Sequence, residues 1–277
     1  MRPSILSRLR NQPQPAPAPA PGARPPAPAP VPWPEESFTD AAAQIVAFFA
    51  DEGIDLRGTR LADIGCGDGI MDLGVFQRAD PSLLVGFDLT PVDRVSTAAR
   101  AADRGVAATL PDGLQFEVCG PESLPAADDS FDHIFSWSAF EHVIRPIAVL
   151  RDVHRVLRPD GLLMIQLWPF YHSKHGSHLW DWFPQGFGQL LFDPFEVERQ
   201  VLAEPDKGPG WTAELLAGFR ELNRISLDEL QAALLLAGFE VVKLELLHEC
   251  FHIPPELAYL PLSRVAVSGV KLLAAPR

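Results

Sequence analysis

Apolar positions along the chain alternate between two kinds of pattern. Short, nearly unbroken apolar runs at 60–64, 83–88, 114–118 and 162–168 read as buried strands, and another strand opens at Phe131. Between them the apolar spacing is helical. It covers 37–50 (Ile45, Val46, Phe48 and Phe49, stopped by Gly53) and the segment after Gly69, with Met71, Leu73, Val75 and Phe76 available for packing up to Asp80-Pro81. Further helices are predicted over 91–103 and 146–158. The latter has Pro146 at its start and a stripe of Val149, Leu150, Val153, Val156 and Leu157. His154 falls with Arg151 and Arg158 on the other face, where solvent is expected. Strands alternating with helices describe an α/β domain with a doubly wound sheet.

Downstream, Ser226-Leu227-Asp228-Glu229 has the form of a capping box, and Leu230, Ala233, Leu234 and Ala237 give its helix an apolar stripe before Gly238. Strands are predicted over 240–247 and 265–273. Residues 169–225 are too many for an ordinary crossover and read as an insertion. At the other end, residues 1–34 form a separate tail. Residues 1–10 are basic with Ile5, Leu6 and Leu9 apolar, and 11–34 are Pro/Ala low complexity, expected to be a disordered, polyproline-like tether to a domain over 35–277.

Composition narrows the functional classes. The 277 residues carry a net charge of -13 and 47% apolar residues. That supports a sizeable core and argues against non-specific nucleic-acid binding, which needs a basic face. Three cysteines (Cys66, Cys119 and Cys250) are odd in number and far apart, so no disulfide framework or metal site is expected and a reducing, cytoplasmic setting is the default. No run of apolar residues is long enough for a membrane span.

Candidate chemistry begins where the first strand ends. Asp63-Ile64-Gly65-Cys66-Gly67-Asp68-Gly69 places glycine at every second position between a strand and a helix, where backbone N–H groups meet a ligand. The dinucleotide fingerprint needs its third glycine at position 70, which is Ile70. An acid as close as Asp63 repels a pyrophosphate and suits an ammonium group. A nucleoside with an amino-acid tail therefore fits better than NAD. Asp88 lies 23 residues after Gly65 at the tip of the second strand, where a carboxylate can accept hydrogen bonds from two ribose hydroxyls.

The glycine run resembles motif I of class I S-adenosylmethionine-dependent methyltransferases, of the type 11 kind. Four further features fall in that family's order. These are an acidic loop after the third strand (Glu122), its Leu124-Pro125, Phe131-Asp132 opening the fourth strand, and Glu141-His142 just beyond it; Leu157-Arg158-Pro159-Asp160-Gly161 before the fifth is a mild variant of the family's turn. The resemblance covers about 40–168 and 225–277. It implies a seven-stranded Rossmann-like sheet of order 3-2-1-4-5-7-6 with strand 7 antiparallel, and S-adenosylmethionine as cofactor. It also implies Asp63, Gly65, Cys66, Gly67 and Gly69 at the methionine end, with Asp88 and Leu89 at the ribose. Many members carry an aspartate near adenine where this chain has Gly120, which leaves Glu122 or backbone groups for that contact. Ser136 and Trp137 would line the methyl-transfer pocket, with His142 either a general base or a structural and cofactor-holding residue.

The insertion over 169–225 follows the fifth strand on the ligand side of such a sheet and is rich in aromatics (Phe170, Tyr171, Trp180, Trp182, Phe183, Phe187), so it is the candidate substrate lid. His172, His175 and His178 are spaced by three, but a helix would splay them and Gly176 favours a loop, so no metal is assigned. Orienting a substrate, acting as a base, and plain packing stay open for them. The expected activity is methyl transfer to a small-molecule hydroxyl, on a sugar or secondary metabolite. The alternative is a non-catalytic partner protein built on the same fold. The acceptor and the oligomeric state are not readable.

Overall fold

Strand β1 (Arg60–Ile64) lies at the centre of a seven-stranded sheet. It pairs in parallel with β2 (Leu83–Asp88) on one side and β4 (Phe131–Trp137) on the other, and β3 (Leu114–Val118) extends the β2 side. Strand β5 (Leu157–Leu167) joins β4 in parallel. Beyond it, β7 (Gly269–Pro276) runs antiparallel between β5 and β6 (Phe239–Leu247), giving the order β3-β2-β1-β4-β5-β7-β6. This is the expected topology. The computed structural model describes residues 34–204 and 210–277. Residues 1–33 of the expected tail lie outside the described residues.

Alternation along β1 divides the core. Ala62 and Ile64 face one hydrophobic cluster, while Leu61 faces the other. The second cluster is covered by a π-helical turn (Glu36–Ala41) that continues into α1 (Ala42–Ala50), and by α2 (Ile70–Ala79). Helix α3 (Arg94–Asp103) follows β2 and starts later than 91 because the Asp93 carboxylate caps it, accepting from Val95 N and Ser96 N at 3.1 Å. On the first cluster lies α4 (Pro146–Val156), whose stripe is buried as expected. Its chain enters β5 at once, since Leu157 already pairs with Phe131.

The insertion contains α5 (Gly188–Leu191), α6 (Pro194–Leu202) and α7 (Trp211–Glu221), and buries Tyr171, Leu179, Phe183, Val197, Leu216 and Phe219 in a core of its own. Next comes α8 (Leu227–Leu236), and its capping box is present: Ser226 Oγ accepts from Glu229 N at 3.3 Å, and Glu229 Oε2 from Ser226 N at 2.8 Å.

Two local expectations are corrected. Val265 does not open the last strand; it ends a short helix, α9 (Leu262–Val265), and the strand starts at Gly269. His154 is not on a solvated face. Its ring packs edge-on against Phe239 with centroids 5.2 Å apart, because the turn at Gly238, which joins α8 to β6, lies against it. Among the described residues no helix is long and apolar enough to cross a membrane.

Candidate active site

The order of the sheet reverses between β1 and β4, and the crevice at their C-terminal ends is where such sheets bind ligands. Two cavities open there, of about 290 Å³ and about 610 Å³. Gly65 and Ser138 wall both of them.

The loop between β1 and α2 shapes this crevice. Gly65 has φ +87°, and a Cβ there would lie 2.4 Å from Ala139 Cβ, so no side chain fits. Gly67 has φ +56°, but a Cβ there would meet nothing within 4 Å, so its bare face borders open cavity. Its N–H donates to Asp88 Oδ2 at 3.0 Å. Asp88 Oδ1 accepts from Thr90 N and Thr90 Oγ1, both at 2.9 Å. The carboxylate is thus oriented by backbone and hydroxyl donors while it lines the smaller cavity, and it keeps acceptor capacity for a ligand's hydroxyls. Asp68 ties the loop to α3 through Arg100, at 2.8 Å.

The predicted residues divide between the two cavities. The smaller one brings together Asp88, Leu89, Gly120, Glu122 and His142. Glu122 is held by Arg145 at 2.8 Å, and Gly120 leaves the cavity wall without a carboxylate at its own position. Burial lowers the His142 pKa, so the ring is neutral near pH 7. The larger cavity brings together Gly65, Cys66, Gly67 and Trp137, and adds Gln166 and Trp168 from the end of β5 and the residue just past it. Burial, then Asp72, Asp63 and Asp88 around it, push the Cys66 thiol up, so it lines the wall as an uncharged group.

Several expected residues stand elsewhere. Ser136 is buried and lines neither cavity; its hydroxyl donates to the Ile64 carbonyl at 2.8 Å and ties β4 to β1. Asp63 also lies beneath the crevice. It is fully buried on the Leu61 side of the strand, facing Asp72 of α2, and lines neither cavity. Burial raises Asp63 to about 7 and Asp72 well above the ordinary aspartate value, so the pair retains a proton near neutrality. Asp72 was not singled out from sequence; the signal was an acid set between apolar Met71 and Leu73 at the start of a buried helix.

The insertion does not supply the aromatic wall expected of it. None of its described residues lines either cavity, and Tyr171, Phe183 and Phe187 are buried inside. Its histidines diverge: His172 packs on Tyr171, His175 on Trp180 and 3.5 Å from Glu249, and His178 against His142 with ring centroids 5.7 Å apart. Besides the His178–His142 and Trp180–Trp168 ring contacts, the insertion is tied to the site by hydrogen bonds from Asn223. Its amide donates to the carbonyls of Phe140 (2.7 Å) and Val143 (2.9 Å), and its N–H to Glu141 O at 2.8 Å. These bonds hold the turn that presents His142. Glu141 itself is buried, its carboxyl has no partner from another residue among the described residues, and burial raises it to about 8.

Fold and site together describe a nucleoside-binding Rossmann-like protein with an adjoining chamber. Residues 35–244 match the family described as "Methyltransferase domain", and the chain belongs to that family, within the class I S-adenosylmethionine-dependent methyltransferases. It is 29% identical over 211 residues to 27-O-demethylrifamycin SV methyltransferase of Amycolatopsis mediterranei, across 75% of this chain and 64% of that protein. It is 30% identical over 119 residues to ubiquinone biosynthesis O-methyltransferase of Parvibaculum lavamentivorans, across 41% of this chain and 44% of that protein. The chain thus spans less than two thirds of these relatives. Among solved structures, an S-adenosylmethionine-dependent methyltransferase from Mesorhizobium loti shares the fold at TM-score 0.51 and 21% identity, covering 85% of this chain and 99% of that one. The [4+2]-cyclase SpnF shares it at TM-score 0.53 and 20% identity, covering 86% and 81%.

Proposed function

We propose that this protein transfers a methyl group from S-adenosylmethionine to a hydroxyl of a small molecule. A [4+2]-cyclase uses the same fold, so the reading rests on the site rather than on topology. The observation that carries it is the Gly67–Asp88 hydrogen bond at the junction of two cavities. It sets a bare backbone face and a preoriented carboxylate at the two ends of one crevice, which suits an amino-acid tail joined to a ribose. The names of the relatives, O-methyltransferases of a quinone pathway and of a rifamycin, support an oxygen acceptor.

The cofactor supplies a methyl already activated on a sulfonium, so little acid–base machinery is required of the chain. Asp88 and Leu89 hold the ribose, and the smaller cavity past Gly120 and Glu122 takes the base. The glycine loop meets the methionine tail. Trp137, Gln166 and Trp168 surround the acceptor and exclude water from it, a proximity effect. Bound there, S-adenosylmethionine would supply the methyl to the acceptor oxygen and leave as the neutral thioether, and the hydroxyl proton would pass to water at the mouth of the cavity. Because His142 shares a cavity with Asp88 and not with Trp137, we assign it to the nucleoside wall rather than to proton removal. His172, His175 and His178 support the insertion's packing. Three free thiols fit a cytoplasmic setting.

Calorimetric titration with S-adenosylhomocysteine tests the cofactor assignment. The intact protein binds it, and Asp88→Ala weakens binding at least about tenfold, the loss of charge-assisted bonds to hydroxyls. No binding to the intact protein sinks the reading. Transfer of labelled methyl to a panel of phenols, sugars and polyketides then identifies the acceptor.

A further inference from the structure

The larger cavity, about 610 Å³, extends well past the glycine loop. Glu36 and Asp40 border it from the π-helical turn, and neither has an ion-pair or hydrogen-bond partner for its side chain among the described residues. The other charges on the wall are matched: Asp68 by Arg100 at 2.8 Å and Lys271 by Glu245 at 3.3 Å. Two carboxylates four apart on one helical face repel each other, and a cation between them relieves that cost. The same cavity is bordered by the indoles of Trp137 and Trp168, the latter braced edge-on by Trp180 at 5.5 Å. Indole faces attract cations.

A second observation concerns Gln166, which is only 5% exposed yet lines this cavity. Its Oε1 accepts from Ser138 N at 2.8 Å and Ser138 Oγ at 2.9 Å. A backbone N–H can only donate, so the amide has one possible orientation. Nε2 is therefore the end turned to the cavity, and it has no partner among the described residues. The donor is open to the cavity rather than sealed in the core, and an oxygen of a bound molecule can accept from it.

We propose that this chamber takes an acceptor carrying a protonated amine. The ammonium lies between Glu36 and Asp40 against the indoles of Trp137 and Trp168, and an oxygen of the same molecule accepts from Gln166 Nε2. The proposal rests on the methyltransferase reading for the cofactor's place at the glycine loop.

The test uses the full chain saturated with S-adenosylhomocysteine, titrated calorimetrically with tyramine and with 4-ethylphenol, which share a phenol and differ in the amine. Cofactor binding is measured first; its absence removes the methyltransferase reading itself, whereas the following outcomes bear on the amine alone. Tyramine binds about tenfold tighter than 4-ethylphenol, and the advantage shrinks as salt is raised. The exposed double substitution Glu36→Gln with Asp40→Asn brings tyramine to the affinity of 4-ethylphenol, and Gln166→Leu weakens both phenols. Equal affinity for the two phenols, or no binding of tyramine, overturns the proposal. So does a double variant that loses S-adenosylhomocysteine while tyramine is unaffected, because the carboxylates then serve the cofactor's own amino group.

Discussion

The carboxyl of Asp63 on β1 faces that of Asp72 on α2 in the interior, and a Cβ on Gly86 would lie 2.4 Å from Asp72 Oδ2. Burial holds both acids above the ordinary aspartate value of 3.8, with Asp63 at about 7. Folded values above the unfolded one mean that the pair's contribution to stability is fully present below pH 3.8 and is lost as pH rises through about 7. Asp72→Asn keeps a donor toward Asp63 and removes one acid. It should stabilise the protein at pH 8 by roughly 1–3 kcal/mol, the cost of an uncompensated buried charge in part relieved. Thermal unfolding at pH 8 and pH 5 checks this: the gain shrinks at pH 5, and an equal gain at both would show that the pair does not titrate.

The glycines of the loop separate stability from binding. Gly67→Ala meets nothing within 4 Å, so its cost is the left-handed backbone alone, about 1 kcal/mol. Its methyl projects toward the cavity, and S-adenosylhomocysteine affinity falls steeply. Gly65→Ala drives a methyl to 2.4 Å from Ala139 Cβ, which costs roughly 1–3 kcal/mol more by overpacking. Melting curves beside calorimetric titrations of both variants give the contrast.

His142→Gln distinguishes a cavity wall from a base. The assignment to the wall predicts a several-fold weaker cofactor with a pH profile of kcat unchanged. A base would instead put an acid limb in the wild-type profile below 6.5, because burial lowers the His142 pKa from that value, and the substitution would abolish it.

Asn223 lines neither cavity yet holds the turn beneath His142. Asn223→Ala leaves the carbonyls of Phe140 and Val143 without that donor, a loss of about 2–3 kcal/mol. S-adenosylhomocysteine affinity should fall with it, and chemical denaturation with a parallel titration tests both.

The strands of the first half and the loop position were legible because they depend on short-range signals: buried apolar runs, glycines at alternate positions, and an acid at the tip of β2; the order of the strands followed only from the family resemblance those motifs carry. The capping box at Ser226 was readable for the same reason, since both partners lie within four residues. What sequence missed is decided by contacts distant along the chain. Ser136 looked like a pocket residue, but the Ile64 carbonyl 72 residues away takes its hydroxyl. His154 sat on a polar stripe until Phe239 packed on it. Val265 reads as strand by composition, and the turn around Pro261 makes it helix. The aromatics of 169–225 matched a lid, but an insertion with enough apolar residues to form its own core uses them there.

The contact between Gly65 and Ala139 has an evolutionary corollary. A side chain at position 139 that turned toward Gly65 would press on the loop, so a larger residue there has room only toward the smaller cavity. If the acceptor occupies the larger cavity as proposed, its preference can be retuned at Trp137, Gln166 and Trp168 or along the helical turn of Glu36 and Asp40, which border that cavity without filling the gap between Gly65 and Ala139.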